Sequence, residues 1–253
     1  KYDAPSAFQP ENLLREARRQ KGLGLQAAPS LCVLDPDGDL VRRLAADGVA
    51  RRDPDWACYH TELHRAELGG TEMGIVGCAV GASFAVLVAE QLFASGCELL
   101  ISITSAGQLA SAGPPPYFVL IEKALRDEGV SYHYLPPAEF SHAPGHLLRA
   151  LDGAFDQMPR AVHRGAVWTT DAPYRETGDL IAEMTERGLA AVEMEAAGLY
   201  AFAQARGRDV ICFAHVTNQM GRIEGDFEKG HADGTTDALA IILRTAARLS
   251  GGP

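Results

Sequence analysis

The chain has 253 residues, 47% of them hydrophobic and 22% charged, with a formal net charge of -10. That length suffices for one large domain with a full core, and the composition is that of an ordinary globular protein. The acidic balance, without a basic cluster interleaved with aromatics, excludes a non-specific nucleic-acid binder, and no run of about 18 apolar residues offers a membrane-spanning helix.

Residues 1–10 are polar and hold Pro5 and Pro10, which predicts an arm and not the apolar core of a signal peptide. Residues 11–22 predict a short helix stopped by Gly22, with Arg15, Arg18 and Arg19 on a solvated face. Residues 1–30 are therefore expected to be an arm and helix preceding a domain at 31–253. A short apolar strand follows at 31–34, then a turn at Asp35-Pro36-Asp37-Gly38-Asp39 and a helix at 40–46. Residues 56–68 and 72–79 read as strands joined by Gly69-Gly70, a hairpin signal. Residues 77–83 form a glycine-containing turn into an apolar helix at 84–94, closed by Gly96. The buried strand at 98–104 ends in Ser105-Ala106-Gly107, small residues that admit a ligand to the backbone. Strand, glycine turn, helix and strand in this order predict a parallel α/β sheet, which binds ligands at the carboxyl ends of its strands. The turn holds Gly77 and Gly81 without dinucleotide-fingerprint spacing, so a packing turn and a phosphate loop both stay open.

Pro114-Pro115-Pro116 marks a rigid loop before a strand at 118–122. By propensity 123–129 passes as a helix, 131–135 as strand-like and 136–144 as a loop. A helix at 147–155 and a strand at 161–168 lead to a polar loop at 169–177 that carries Tyr174 and Arg175. A helix follows at 178–187. Residues 210–216 predict a buried strand running into Thr217-Asn218-Gln219-Met220, then a loop at 221–234 and a closing helix at 235–249. No internal repeat or linker divides the chain.

Residues 189–203 carry the chemistry. An apolar strand end is followed by Glu193 and Glu195 with Met194 between them, then by a helix with apolar positions at three- and four-residue spacing. One acid at a strand-to-helix junction is a cap or dipole partner, worth under about 1 kcal/mol. A second carboxylate in so apolar a segment points to a polar ligand, because an unpaired buried charge is expensive. Vicinal sugar hydroxyls suit it. The loops at 104–107, 169–177 and 217–220 are expected to converge with both carboxylates on a site of hydroxyl- and amide-binding groups. No serine occupies a G-x-S-x-G elbow and no cysteine has a local cationic partner, so no covalent nucleophile is evident. The five cysteines are scattered and odd in number, and read as buried reduced thiols of a cytoplasmic protein. His60 with His64 and His142 with His146 have i,i+4 spacing. The first pair falls in a predicted strand and the second flanks Pro144-Gly145, so no metal site is expected.

From about Leu31 to Leu249 the chain resembles the nucleoside phosphorylases of the uridine and purine type, which include related nucleosidases. Val192-Glu193-Met194-Glu195-Ala196-Ala197 is similar to that family's ribose-binding signature. Residues 74–109, the strand at 161–171 ending in Asp171, and Val216-Thr217-Asn218 resemble its other elements. The resemblance implies a single α/β domain around a mixed, partly closed sheet flanked by helices, a homo-oligomer (dimer, trimer or hexamer), and no cofactor apart from phosphate as co-substrate. At 118–137 it implies strand, turn and strand, against a helix at Lys123. It implies that Glu195 accepts hydrogen bonds from the ribose 2′ and 3′ hydroxyls, that Met194 packs on the sugar and that Glu193 frames the site. Thr104 and Ser105 fall where the family contacts phosphate or sugar. Asn218 falls near the purine N7, where an amide suits 6-oxopurines, and Gln219 replaces an arginine that reads uracil. Pro173 takes the place of a base-stacking aromatic, with Tyr174 beside it. Arg175 is either a base reader or a surface ion-pair partner. Asn218 and Glu195 are the expected catalytic residues.

The chain departs from the family at the phosphate. The glycine of the phosphate turn aligns with Asp35, the next arginine with Asp39 or Leu40, the neighbouring subunit's arginine with Tyr59, and the arginine before Thr104 with Ile101. Three readings follow. Phosphorolysis is the family default, with Arg51, Arg52 or Arg65 of a neighbouring copy as replacement cations. The alternatives are a hydrolytic nucleosidase and a non-catalytic nucleoside-binding protein.

Overall fold

The computed structural model describes residues 2, 4–220 and 228–250, the last by its backbone. The part of the predicted loop at 221–227 lies outside the described residues. Helix α1 (Pro10–Lys21) ends at Gly22 in the left-handed conformation and buries Leu14 and Ala17 against Ala57. In chain order there follow β1 (Leu31–Asp35), α2 (Asp39–Ala46), β2 (Arg51–Arg52), β3 (His64–Leu68), β4 (Thr71–Gly77), α3 (Ala82–Ala94), β5 (Leu99–Gln108) and β6 (Tyr117–Asp127). Then come α4 (Ser131–Tyr134), β7 (Phe140–His142), α5 (Gly145–Ala150), β8 (Val162–Thr170), α6 (Gly178–Glu186), β9 (Ala191–Glu193), α7 (Ala196–Arg206), β10 (Asp209–Gln219) and α8 (Thr235–Ser250).

The described strands form one mixed sheet, ordered β10-β6-β8-β9-β5-β1-β4-β3-β2, with β7 on β6 and a further pairing of β10 with β5. That further pairing closes β5, β10, β6, β8 and β9 into a ring. Strands β1, β4, β3 and β2 extend from β5 as an open wing. β5 runs parallel to β1 and β10, and β1 parallel to β4, so the carboxyl ends of all four share one edge. The turns at 35–39 and 78–81 open along it. β9 meets β5 antiparallel, pairing Val192 with Gly107, so the chain after Glu193 turns alongside residues 104–106 of β5.

Helix α7 is buried along residues 196–203, and its small residues allow close packing on α3. A β-carbon at Gly198 would meet Val130, Ala82 and Val86. Within this apolar layer the Tyr200 hydroxyl donates to the Ile121 carbonyl (2.6 Å) and accepts from the Cys212 amide (3.0 Å). The helix is thereby tied to β6 and β10 at once, with no polar group of the tyrosine left over.

Several elements differ from the sequence expectation. The first hairpin strand begins at His64 and not at 56, because Trp56 Nε1 turns back onto Thr61 Oγ1 (3.0 Å). His60 therefore lies outside the strand. The hairpin turn itself is as expected, with Gly69 and Gly70 both at positive φ. Residues 105–107 and 217–219 continue β5 and β10 and are not loops, because each strand pairs with the other there. Thr169 and Thr170 likewise end β8. Lys123 lies in β6, as the family resemblance implies, since β8 and β7 pair with it on both sides. The second strand of that implied pair is absent. Residues 131–134 are helical because Glu128 Oε2 accepts from the Ser131 amide (3.0 Å) and the Arg126 guanidinium binds Ser131 Oγ and the Pro136 carbonyl. The loop at 136–144 contains β7, and α5 stops at Ala150, short of 155. Cys78 is exposed, unlike the other four cysteines.

Candidate active site

Glu193 and Glu195 do different work. Glu193 Oε2 accepts from the amides of Glu195 and Ala196, both at 2.8 Å. Its other oxygen accepts from the Thr169 hydroxyl, which in turn accepts from the Ala197 amide (3.0 Å). Together Glu193 and Thr169 satisfy three amides of the first turn of α7, which leave a helix N-terminus without partners otherwise. Glu193 is the cap.

Glu195 keeps one oxygen unpartnered. It is 1% exposed. Its Oε1 accepts from the Gly81 amide (2.7 Å), while its buried Oε2 has no hydrogen-bond partner among the described residues. Gly81 sits at φ 89°, a conformation costly for a side-chain-bearing residue, and this turns its amide toward the carboxylate. The glycine turn thus anchors Glu195. Burial pushes the Glu195 carboxyl up to about 7, opposed by the Gly81 amide and the Thr104 hydroxyl and reinforced by the charge of Asp37. Burial, and then the charge of Glu195, raises Glu193 as well.

The turn after β1 supplies the opposite wall. Asp37 Oδ2 accepts from both the backbone amide (3.2 Å) and the hydroxyl of Ser105. Asp35 accepts from the Val41 amide (2.9 Å) in the first turn of α2, and burial pushes its carboxyl up to about 6. Asp39 pairs with Arg42 (2.6 Å) and Lys229, whose ammonium also lies 3.8 Å from Asp37. Three carboxylates and two cations therefore share this end of the site.

The predicted residues divide clearly. Thr104, Ser105, Glu193 and Glu195 come together, and half-buried Met194 lies between the two acids. Asn218 stands opposite Gly107 on β10, after a bulge between Val216 and Asn218 that re-aims the strand's side chains. Its amide nitrogen faces Met220 Sδ at 3.7 Å. Met220 also fills the space beside Gly107, where a β-carbon would strike its sulfur. Gln219 ends β10, half-buried. Tyr174 and Arg175 are exposed in a 3-10 turn beyond β8, Tyr174 at 99%, and the structure does not bring them to the buried acids. Of the positions aligned with phosphate arginines, Ile101 is core, and Tyr59 donates from the surface to Gln20 (2.7 Å). Arg65 is held within its own chain by Asp53 and Glu72, and Arg52 by Glu62. Sequence reasoning missed the contacts of Asp37, Lys229, Thr169 and Gly81. The acid-rich 35–39 turn was the signal for Asp37. Lys229 is far away in sequence and gave none.

The buried acids set a pH dependence. Glu195 keeps its proton in the folded chain to about 7, whereas the unfolded chain releases it near 4.5. The folded state binds more protons across that window, so this contribution to stability is complete below about 4.5 and is lost as pH rises through about 7. The melting temperature of the wild type, measured against Glu195→Gln, is expected to fall from pH 5 to pH 8. A flat difference would show that Glu195 ionises freely in the fold.

The sequence profile of the phosphorylase superfamily matches residues 30–248. A guanosine phosphorylase of Halorubrum lacusprofundi is 28% identical over 147 residues, 58% of this chain and 61% of the relative, so the chain spans about three fifths of that protein's length. The structure resembles purine nucleoside phosphorylase from Toxoplasma gondii with a TM-score of 0.76 at 18% identity, covering 98% of this chain and 100% of the other. It resembles AMP nucleosidase from Bacteroides thetaiotaomicron with a TM-score of 0.73 at 17% identity, covering 96% and 98%. At those identities the two structures speak to the fold. With the profile match across most of its length and the same mixed, partly closed sheet, the chain belongs to the phosphorylase superfamily.

Proposed function

We propose that this protein cleaves the N-glycosidic bond of a purine nucleoside with water as the nucleophile. The carrying observation is Asp37, whose carboxylate takes both hydrogen-bond donors of Ser105. Those donors are what the family resemblance assigns to phosphate or sugar. A phosphate there would displace an anion and meet Asp35 and Asp39 as well, and like charges repel in a partly buried site. A carboxylate beside the sugar is instead suited to receive a proton from water.

In this reading the free Oε2 of Glu195 accepts from the ribose hydroxyls, and Met194 lies against the sugar. As the C1′–N bond lengthens, positive charge grows on the sugar beside Asp37 and, above about pH 7, the ionised Glu195, which stabilise it more than the neutral ground state. Water oxygen bonds to C1′, its proton passes to Asp37, and the C1′–N pair leaves with the base, which takes a proton from solvent. Asn218 donates to the departing base without itself supplying a proton. The guanosine phosphorylase relative supports a purine, as does an amide at 218. The free thiols suit a reducing cytoplasm, and a homo-oligomer goes with the family resemblance.

Phosphorolysis is the second reading, favoured by Arg42 and Lys229 at the same turn and by the names of the sequence relatives. The test is base release from guanosine, inosine, adenosine, AMP and uridine, with and without phosphate, identifying the sugar product. Equal release without phosphate, yielding the free sugar, is expected. Release only with phosphate, yielding the sugar 1-phosphate, would replace hydrolysis by phosphorolysis. No release from any member would leave a nucleoside-binding protein.

A further inference from the structure

His215 stands on β10 in register with Ser105 on β5, the residue that Asp37 holds. Its neighbours across the other side of the strand include Phe118, on which the imidazole stacks at 4.4 Å and 7°. Along the ring's Cε1–Nδ1 edge lies Gly234, where any β-carbon would run into the imidazole. The ring is thus held in one plane. It is 6% exposed, and its buried Nε2 has no hydrogen-bond partner among the described residues. A buried polar atom without a partner is costly, so its retention calls for a reason.

Asp37, Thr104, Ser105 and His215 all line one small cavity of about 20 Å³. That volume has room for one water. It touches the carboxylate that would accept a proton and the strand that faces Glu195. Burial pushes the imidazole down to about 4, with the charge of Asp37 pulling the other way. At pH 7 the ring is therefore neutral and offers one N–H and one lone pair, either of which can orient a water.

We propose that this cavity is the chamber of the attacking water, and that His215 is a positioning residue that holds this water through Nε2 opposite Asp37. The inference deepens the hydrolytic reading and rests on it. His215 neither takes the proton nor bonds to C1′. It restricts where the water's lone pair points, and loss of such orientation costs up to about 100-fold in rate.

The test uses the fastest-turned-over nucleoside of the panel above, in water and in water–methanol mixtures. A water held between Asp37 and His215 can donate to one while bonding the other, whereas methanol has a single O–H, so the wild type should yield methyl riboside far below the mole fraction of methanol. Methyl riboside at that mole fraction would overturn the proposal without any variant. His215→Phe keeps the stacking on Phe118 and removes Nε2. It is expected to lower kcat by about 30-fold, to leave KM within about twofold, and to raise the methyl riboside share. His215→Gln, which returns a polar atom near Nε2, should recover most of kcat. A folded His215→Phe with unchanged kcat and product partition would overturn the role of His215 while leaving hydrolysis standing. A wild type that requires phosphate would instead remove the hydrolytic reading and this inference with it.

Discussion

Glu195→Ala is expected to lower kcat/KM for base release by about 10³-fold. Above about pH 7, where Glu195 is ionised, a hydrogen bond to the charged group contributes about 1.5–3 kcal/mol, and this carboxylate has an oxygen to offer two vicinal hydroxyls. Losing both is worth about 3–6 kcal/mol, or roughly 10²–10⁴ in rate. The fold should survive. The variant leaves the Gly81 amide without its acceptor, but it also removes a buried carboxyl with an unpaired oxygen, and these two effects oppose each other. Glu195→Gln, which keeps an acceptor for Gly81, should fall between wild type and alanine. Steady-state kinetics with a melting curve for each variant checks this. Turnover by Glu195→Ala near the wild-type rate would move the sugar site elsewhere.

Asp37→Asn is the second large effect. Asparagine still accepts from Ser105 through its carbonyl oxygen, so the turn stays in place, but it cannot take a proton. General-base catalysis contributes about 10²–10⁴ in rate, and release in phosphate-free buffer should fall by about that much. The same change removes one of three clustered negative charges and leaves Lys229 less neutralised. Added phosphate, inert toward the wild type, should therefore accelerate the variant. If Asp37→Asn hydrolyses as fast as the wild type, the base is a different group. Asp35 and Asp39 would be next, though each is already engaged, the first with Val41 and the second with Arg42 and Lys229.

The division of labour between the two glutamates was half legible in the sequence. That one acid caps a helix and one awaits a ligand follows from their number and their apolar setting. Which does which depends on Thr169, brought from another strand by the parallel pairing of β8 with β9. The strands were legible wherever apolar runs are continuous, as in β1, β5 and β10. Their ends were not, because small and polar residues such as Ser105, Gly107 and Thr217 look like loop residues until a neighbouring strand pairs with them. The helical turn at α4 was invisible for the same reason, since Arg126 and Glu128 stabilise it through contacts that propensity does not encode. The missing phosphate cations could be read from the chain, whereas the carboxylate in their place could be seen only once the 35–39 turn was set against Ser105.

The ring and the wing give the two reaction partners different hosts. In the proposed reading sugar and base face residues of the closed ring: Thr104 on β5, Asn218 on β10, and Glu195 just after β9. The proposed nucleophile lies between the ring and the 35–39 turn, which hangs from β1 in the wing and supplies its proton acceptor, Asp37. Changes in that short loop can therefore weigh on which group attacks while the grip on the nucleoside stays as it is. In this architecture the choice between water and phosphate is a property of a replaceable part, and the bond to be broken is a property of the frame.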